Sequence, residues 1–314
     1  MNILYLDPYS DTSYSKRYLY YEGLYNSLIK TNNVYLHRDL IKDYNEIKKE
    51  IPFRPDVAIF GLSWFEKHKY FDKINNLDIP SACFIFKPAI DLQIKIDFCK
   101  INQIGLILTP HNQFEKFSEM ADVPAKLFPY GFDPSIFKPR NLEKNYDIGF
   151  SGALHGANHY PIGAFKNPNI RKKINNLIKD IEGINLFWKS TDVLETARIH
   201  NNVKYAETIN KSKIWIATQA AYGDITPRYF EIMGSGTLLF CEENDPTYKT
   251  IFRDGENCFE FGNDLLDFSD SLIQLINAPN KIKNICESAF QEAIQFHTWD
   301  IRAHELELLI MDII

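Results

Sequence analysis

The sequence has few cysteines and does not pair them. Cys83, Cys99, Cys241, Cys258 and Cys286 are scattered along 314 residues, odd in number and without a C-x-x-C pair. This pattern excludes a disulfide framework and a thiolate zinc site, and predicts reduced thiols in a cytosol-like compartment. Long apolar runs are also missing: no stretch approaches the ~20 residues of a membrane span. Met1 to Asp7 carries no basic region leading into an apolar stretch, so no signal peptide is expected. There is no excess of positive charge, since 35 Lys+Arg stand against 41 Asp+Glu, a net −6. That balance argues against a protein that coats nucleic acid, while leaving room for a local basic cleft. No Asp-x-Asp dyad, G-x-G-x-x-G fingerprint with a downstream acid, or Walker pattern occurs. No metal site is therefore expected, and a dinucleotide dehydrogenase is disfavoured.

What the chain does have is apolar material enough for two cores: 45% of its residues are hydrophobic and 24% charged. Short apolar runs end at turn formers. Ile3–Leu6 stops at Asp7-Pro8, Val57–Phe60 at Gly61, Cys83–Phe86 at Lys87-Pro88, Gly105–Thr109 at Pro110, and Ala125–Tyr130 at Gly131. Each has the length of a buried strand, and helical spacing separates them, which predicts parallel α/β layers. Phe132 to Arg140 is rich in Pro and charge and reads as a linker. The pattern then restarts, with strands expected at Asp147–Phe150, Ile184–Trp188, Val203–Tyr205, Ile214–Thr218, Thr237–Cys241 and Cys258–Phe261. Ile170, Ile174, Leu177, Ile178 and Ile181 share one face of a helix stopped by Gly183. Helices are expected over 264–277, 280–295 and 299–313. The expected organisation is a first Rossmann-like domain over 1–141, a second over 142–296, and a final helix over 297–314 that packs back on the first. Ligands of such halves bind at the carboxyl ends of the strands, so a central cleft is the expected active site.

Two stretches carry chemistry. In Thr226-Pro227-Arg228-Tyr229-Phe230-Glu231-Ile232-Met233-Gly234-Ser235-Gly236, Pro227 suits a first helical turn. Phe230 and Met233 can face a core while Arg228 and Glu231, spaced i,i+3, share another face. A helix N-terminus with a guanidinium beside it suits a diphosphate, and the carboxylate one turn on suits two vicinal hydroxyls such as those of a ribose. The competing reading is an ordinary surface Arg–Glu pair on a capped helix. In Tyr146-Asp147-Ile148-Gly149-Phe150-Ser151-Gly152-Ala153-Leu154-His155-Gly156, a strand runs into small residues. Backbone amides there can approach an anion, and His155 can donate to it. Its competing reading is a plain glycine turn.

Together these stretches resemble the GT-B glycosyltransferases. Phe128-Pro129-Tyr130-Gly131-Phe132-Asp133 to Phe137-Lys138-Pro139 is similar to the P-x-G-x-D…F-x-P junction of family-4-type enzymes, and Ile107 to His111 resembles the element before it. Arg228 to Gly236 resembles the R-x-F-E-x-x-G-S-G block of the spore-maturation-protein-B-like glycosyltransferases. Asp147 to Gly152 and His297-Thr298-Trp299-Asp300-Ile301-Arg302 also resemble that group. The likeness runs from about residue 104 to 302 and is architectural before that. It implies an α/β fold of the GT-B type, two Rossmann-like domains facing a central cleft, and a metal-independent transferase that needs no cofactor beyond a nucleotide diphosphate sugar co-substrate, UDP- or GDP-linked. It further implies that Glu231 holds the donor ribose, and that Arg228, the Gly152 loop and His155 face the diphosphate. Thr226, Gly234, Ser235 and Lys189, which ends the Phe187-Trp188 strand, complete the expected donor set. The usual upstream glutamate would fall at Gly223; Asp224 is adjacent and is the substitute, which leaves retaining and inverting chemistry both open.

On the acceptor side, Asp7 follows the first strand, with Asp11, Ser13 and Tyr14 after it, and His111 opens a helix after the fifth strand. Either Asp7 or His111 can act as base on an acceptor hydroxyl, although a histidine at a helix start is more often a capping residue. The expected partners are a nucleotide-sugar donor and a glycan or other hydroxyl acceptor, in the cytoplasm. Two alternatives stand beside this one. Tyr14 to Tyr21 interleaves basic and aromatic residues, which suits a DNA-base glycosyltransferase of viral type acting in host cytoplasm. The missing upstream glutamate suits a non-catalytic nucleotide-sugar-binding protein.

Overall fold

The computed structural model describes residues 1–7, 22–61, 73–88, 91–154, 169–191, 196, 198–220 and 223–314. The chain divides into two compact units. One comprises Met1–Pro129 with Trp299–Ile314, the other Tyr130–Thr298.

In the first unit, β1 (Asn2–Leu6), α1 (Glu22–Thr31), β2 (Asn33–His37), β3 (Val57–Phe60), β4 (Ser81–Phe84), α2 (Leu92–Ile101), β5 (Leu106–Thr109), α3 (Phe114–Ala121) and β6 (Ala125–Leu127) follow in order. The strands form a six-stranded sheet in the order β2-β1-β3-β4-β5-β6, parallel throughout. β3 to β5 are wholly buried, which is why they read as unbroken apolar runs instead of alternating ones. The order reverses between β1 and β3, and Asp7 and Gly61 stand at the carboxyl ends of those two strands.

The second unit contains β7 (Tyr146–Ala153), α4 (Ile170–Lys179), β8 (Leu186–Thr191), α5 (Asn202–Asn210), β9 (Ser212–Ala217), α6 (Pro227–Gly234), β10 (Leu238–Glu242), β11 (Phe259–Phe261), α7 (Phe268–Ile276) and α8 (Pro279–Phe296). Its sheet is parallel, in the order β11-β10-β9-β7-β8. Here the order reverses between β7 and β9. Ile148, Phe150, Ile174, Ile214, Ile216 and Phe240 make the centre of its core. Gly149 is required by close packing, since a Cβ there would stand 2.3 Å from the Trp215 ring. The chain ends with α9 (Trp299–Met311), which belongs to the first unit. No helix among the described residues is long and apolar enough to cross a membrane, and all five cysteines are free.

Two local expectations need correction. Val203–Tyr205 lies in helix α5, not in a strand. The Asn201 side chain accepts from the Lys204 amide and starts a helix, and Tyr205, Ala206 and Ile209 bury one face of it. The segment 132–140 is not a loose linker but a strap fastened to the second unit. The Phe132 ring lies where a Cβ on Gly234 would be 2.3 Å away, Phe137 meets Tyr205 edge-on, and Asn210 bonds the backbone of both Lys138 and Arg140. The Pro and charge content signalled the absence of regular structure, not the absence of packing.

Candidate functional site

The crevice of a doubly wound sheet lies beyond the carboxyl ends of the strands where the order reverses. In the second unit that point is between β7, ending in Gly152-Ala153, and β9, ending before Thr218. Arg171, from the first turn of α4, spans it. Its Nε donates to Thr218 Oγ1 at 2.6 Å and its Nη1 to the Ala153 carbonyl at 2.9 Å. Arg228, from the first turn of α6, approaches the same point. Ideal Cβ placement on Gly152 would put that atom 3.5 Å from Arg228 Nη1 and 3.7 Å from Arg171 Nη1. Gly152 itself has φ +154°, a backbone setting open to glycine. Two guanidinium groups therefore converge on a residue without a side chain.

These two cations disfavour each other. Burial, together with the neighbouring Arg228, pulls the Arg171 guanidinium down to about 10. Burial also opposes the charge on Arg228, but Tyr205 and Glu231 more than offset it and hold its pKa above the ordinary value. Tyr205 is buried on α5, and its hydroxyl accepts from Arg228 Nε at 2.9 Å. Two buried cations held beside each other by the fold are the electrostatic form of an anion site.

Glu231 sits one helical turn beyond Arg228, half-buried. Burial raises its carboxyl to about 7 against the downward pull of Arg228 and Arg198. On the opposite face of α6, Tyr229, Phe230, Ile232 and Met233 are buried, so the helix presents Arg228 and Glu231 from a rigid base. Thr226 is the residue before the helix, extended and half-buried, with no side-chain bond to it. Pro227 takes the first position, where a missing N–H leaves no gap in the helix.

Of the residues expected to hold a donor, Gly152, Thr226, Arg228 and Glu231 are thus gathered around the end of β7 and the start of α6. Lys189 stands on β8 in register with Ser151, and its amine donates to the Arg198 carbonyl at 3.2 Å. Gly234 and Ser235 lie at the other end of α6, both buried. Gly234 sits beneath Phe132, and the Ser235 hydroxyl donates to the Glu231 carbonyl. Asp224 belongs to the turn before α6, where its carbonyl accepts from the Ala220 amide and Gly223 takes φ +81°. His155 lies outside the described residues, as do Asp11, Ser13 and the whole Tyr14–Tyr21 segment. Among the described residues no group of three or more His, Cys, Asp or Glu side chains is placed to hold a metal ion.

In the first unit, Asp7 is buried and paired with Arg38 at 3.5 Å. His111 is buried as well. Its Nδ1 accepts from the Gln113 amide at 3.1 Å, and its ring stacks 5.5 Å from Phe117. These contacts fix the turn that leads into α3, whose N-cap is Gln113.

Sequence reading missed Arg171 and Tyr205. Arg171 left a trace, because α4 opens on Ile170-Arg171-Lys172-Lys173 with no acidic residue in its first turn. Cations at a helix N-terminus oppose its dipole, so such a turn calls for an anion. Tyr205 leaves none, since Val203–Tyr205 taken alone reads as a strand.

Residues 153–307 match the model of a family described as glycosyl transferase-like. No curated protein sequence matches the chain. Solved structures do. A sucrose-phosphate synthase from Thermosynechococcus elongatus is 10% identical with a TM-score of 0.61, covering 99% of both chains. A glycosyltransferase from Rickettsia africae is 12% identical with a TM-score of 0.60, over 99% of this chain and 98% of the other. HepE of Anabaena in complex with UDP is 11% identical with a TM-score of 0.59, over 99% and 100%. The two parallel sheets with their flanking helices are the two Rossmann-like halves of that fold. This chain has the GT-B fold, and its residues 153–307 match the glycosyl transferase-like family model.

Proposed function

We propose that this protein transfers a glycosyl group from a nucleotide diphosphate sugar, UDP- or GDP-linked, to a hydroxyl of a glycan acceptor. The observation that carries the proposal is the convergence of Arg228 and Arg171 on Gly152, with the Glu231 carboxyl one turn away. Solved structures of the same fold support a nucleotide-sugar donor, since HepE was solved in complex with UDP and with UDP-glucose.

In this reading the diphosphate lies against Gly152, within reach of both guanidinium groups and the α6 N-terminus. Glu231 accepts from the two ribose hydroxyls. Transfer breaks the bond between the anomeric carbon and the diphosphate oxygen and forms one to the acceptor oxygen, whose proton passes to a base. The leaving diphosphate takes the bonding pair, and the two fixed cations stabilise the charge that develops on it. Asp7, His111 and Asp224 are the candidate bases.

The test is calorimetric titration with UDP-, GDP- and dTDP-glucose. Wild-type protein is expected to bind one of them, and Arg228→Ala and Glu231→Ala to weaken that binding at least about tenfold, as expected for lost charge-assisted hydrogen bonds. Affinity that survives intact in both variants refutes the site. Hydrolysis of the donor, or turnover with any acceptor, separates an enzyme from a protein that only binds nucleotide sugars.

A further inference from the structure

Arg228 has five N–H donors, and one of them is already committed. Its Nε points at the Tyr205 hydroxyl at 2.9 Å. We propose that Tyr205 is a positioning residue for the diphosphate subsite: by taking Nε, it turns the Nη end of Arg228 toward Gly152 and makes end-on, two-pronged binding of an anion the available mode. This rests on the nucleotide-sugar reading given above and assigns a residue to it that has no contact with the donor.

The geometry supports the role from several sides. Tyr205 is fixed before Arg228 is considered, because its ring meets Trp215 edge-on at 5.7 Å and Phe137 edge-on at 6.1 Å. Trp215 is in the middle of β9 and Phe137 is on the strap, so the phenol is braced by two separate parts of the unit. The Ser151 side chain, next to Gly152, is near enough to lower the pKa of that hydroxyl, although burial raises it overall. The phenol therefore holds the guanidinium beside the strand end that would meet the anion. An arginine side chain has several rotatable bonds, and its ordering opposes binding unless something orders it beforehand. The phenol supplies that order at Nε. A carboxylate there would hold Nε equally well but would add a second negative charge to that of Glu231, whereas a neutral hydroxyl adds none.

The experiment is a double-mutant cycle on the full-length protein, with Tyr205→Phe, Arg228→Ala and the combination, read by calorimetry with UDP and with uridine. Tyr205→Phe keeps the ring contacts, and a thermal melt checks that the fold is retained. The expected result is a loss of UDP affinity of about tenfold in Tyr205→Phe, with no further loss when it is added to Arg228→Ala. Uridine, which lacks the phosphates, should bind wild type and Tyr205→Phe alike. Additive losses, or equal losses for UDP and uridine, overturn the positioning role while leaving the donor site standing. If wild-type protein binds none of UDP, GDP or dTDP, the donor reading fails and this proposal falls with it.

Discussion

At the residue scale, Glu231 makes a pH-dependent prediction with a definite sign. Its carboxyl is raised from 4.5 to about 7, by burial first, with Arg228 and Arg198 pulling the other way. An acid whose folded pKa is raised favours the folded state when protonated. Its contribution is therefore fully present below about pH 4.5 and lost as pH rises through about 7. Glu231→Gln removes the buried charge, so the unliganded variant should be more stable than wild type at pH 8 by about 1–2 kcal/mol. The gap should close near pH 5, as read by denaturant unfolding. Binding runs in the opposite sense, because the carboxylate is the form that accepts from two hydroxyls. UDP-glucose carries a fixed diphosphate charge over this range, so its affinity should rise from pH 6 to 8 in wild type and stay flat in Glu231→Gln. This pair of residues was legible in the sequence because Arg228 and Glu231 belong to one helix and their i,i+3 spacing already placed them on one face. Arg171 and Tyr205 reach the same point from other helices. Only the parallel packing of β7 and β9 brings them there, and no local pattern encodes it.

At the element scale, α4 and α6 show how a helix end can be spent on function. α4 begins with Arg171, Lys172 and Lys173 where the dipole favours acids, and Arg171 is half-buried beside a second guanidinium. In the absence of an anion this arrangement opposes folding. Arg171→Gln should therefore raise the unfolding temperature of the unliganded protein and weaken UDP binding. The two together distinguish an anion site from an ordinary ion-pair network, in which the same change would lower stability. A thermal melt with and without UDP reads both effects in one experiment. Most strands were legible because both of their faces are buried and their apolar runs are continuous. α5 was not, because Val203-Lys204-Tyr205 taken alone carries β-branched and aromatic residues that suit a strand. The signal that decides for helix is Asn201 at its cap with Tyr205, Ala206 and Ile209 on one face, and it needs the longer window.

At the scale of the whole molecule, the last helix of the chain serves the first unit while the residues proposed to hold the donor lie in the second. α9 packs on α1: Leu306 and Ile310 are fully buried, Glu307 accepts from Thr31 and Asn32, and Trp299 fills the space where a Cβ on Gly23 would stand. Lys30 and Asp300 add an ion pair between the same two helices, both side chains 59% exposed. Magnitudes decide which of these holds the helix in place. An exposed pair contributes at most about 1 kcal/mol, whereas truncating a fully buried leucine to alanine destabilises by about 2–5 kcal/mol. Lys30→Ala should therefore leave thermal unfolding almost unchanged, and Leu306→Ala should lower it clearly. Because the change is confined to the first unit, Leu306→Ala should retain the UDP affinity of wild type below its melting temperature. UDP, in turn, should raise the transition of the second unit, since a ligand stabilises the part of the protein that binds it. Scanning calorimetry of wild type and Leu306→Ala, each with and without UDP, checks both shifts. If Leu306→Ala weakens UDP binding as strongly as Arg228→Ala does, the donor site cannot be a property of the second unit alone.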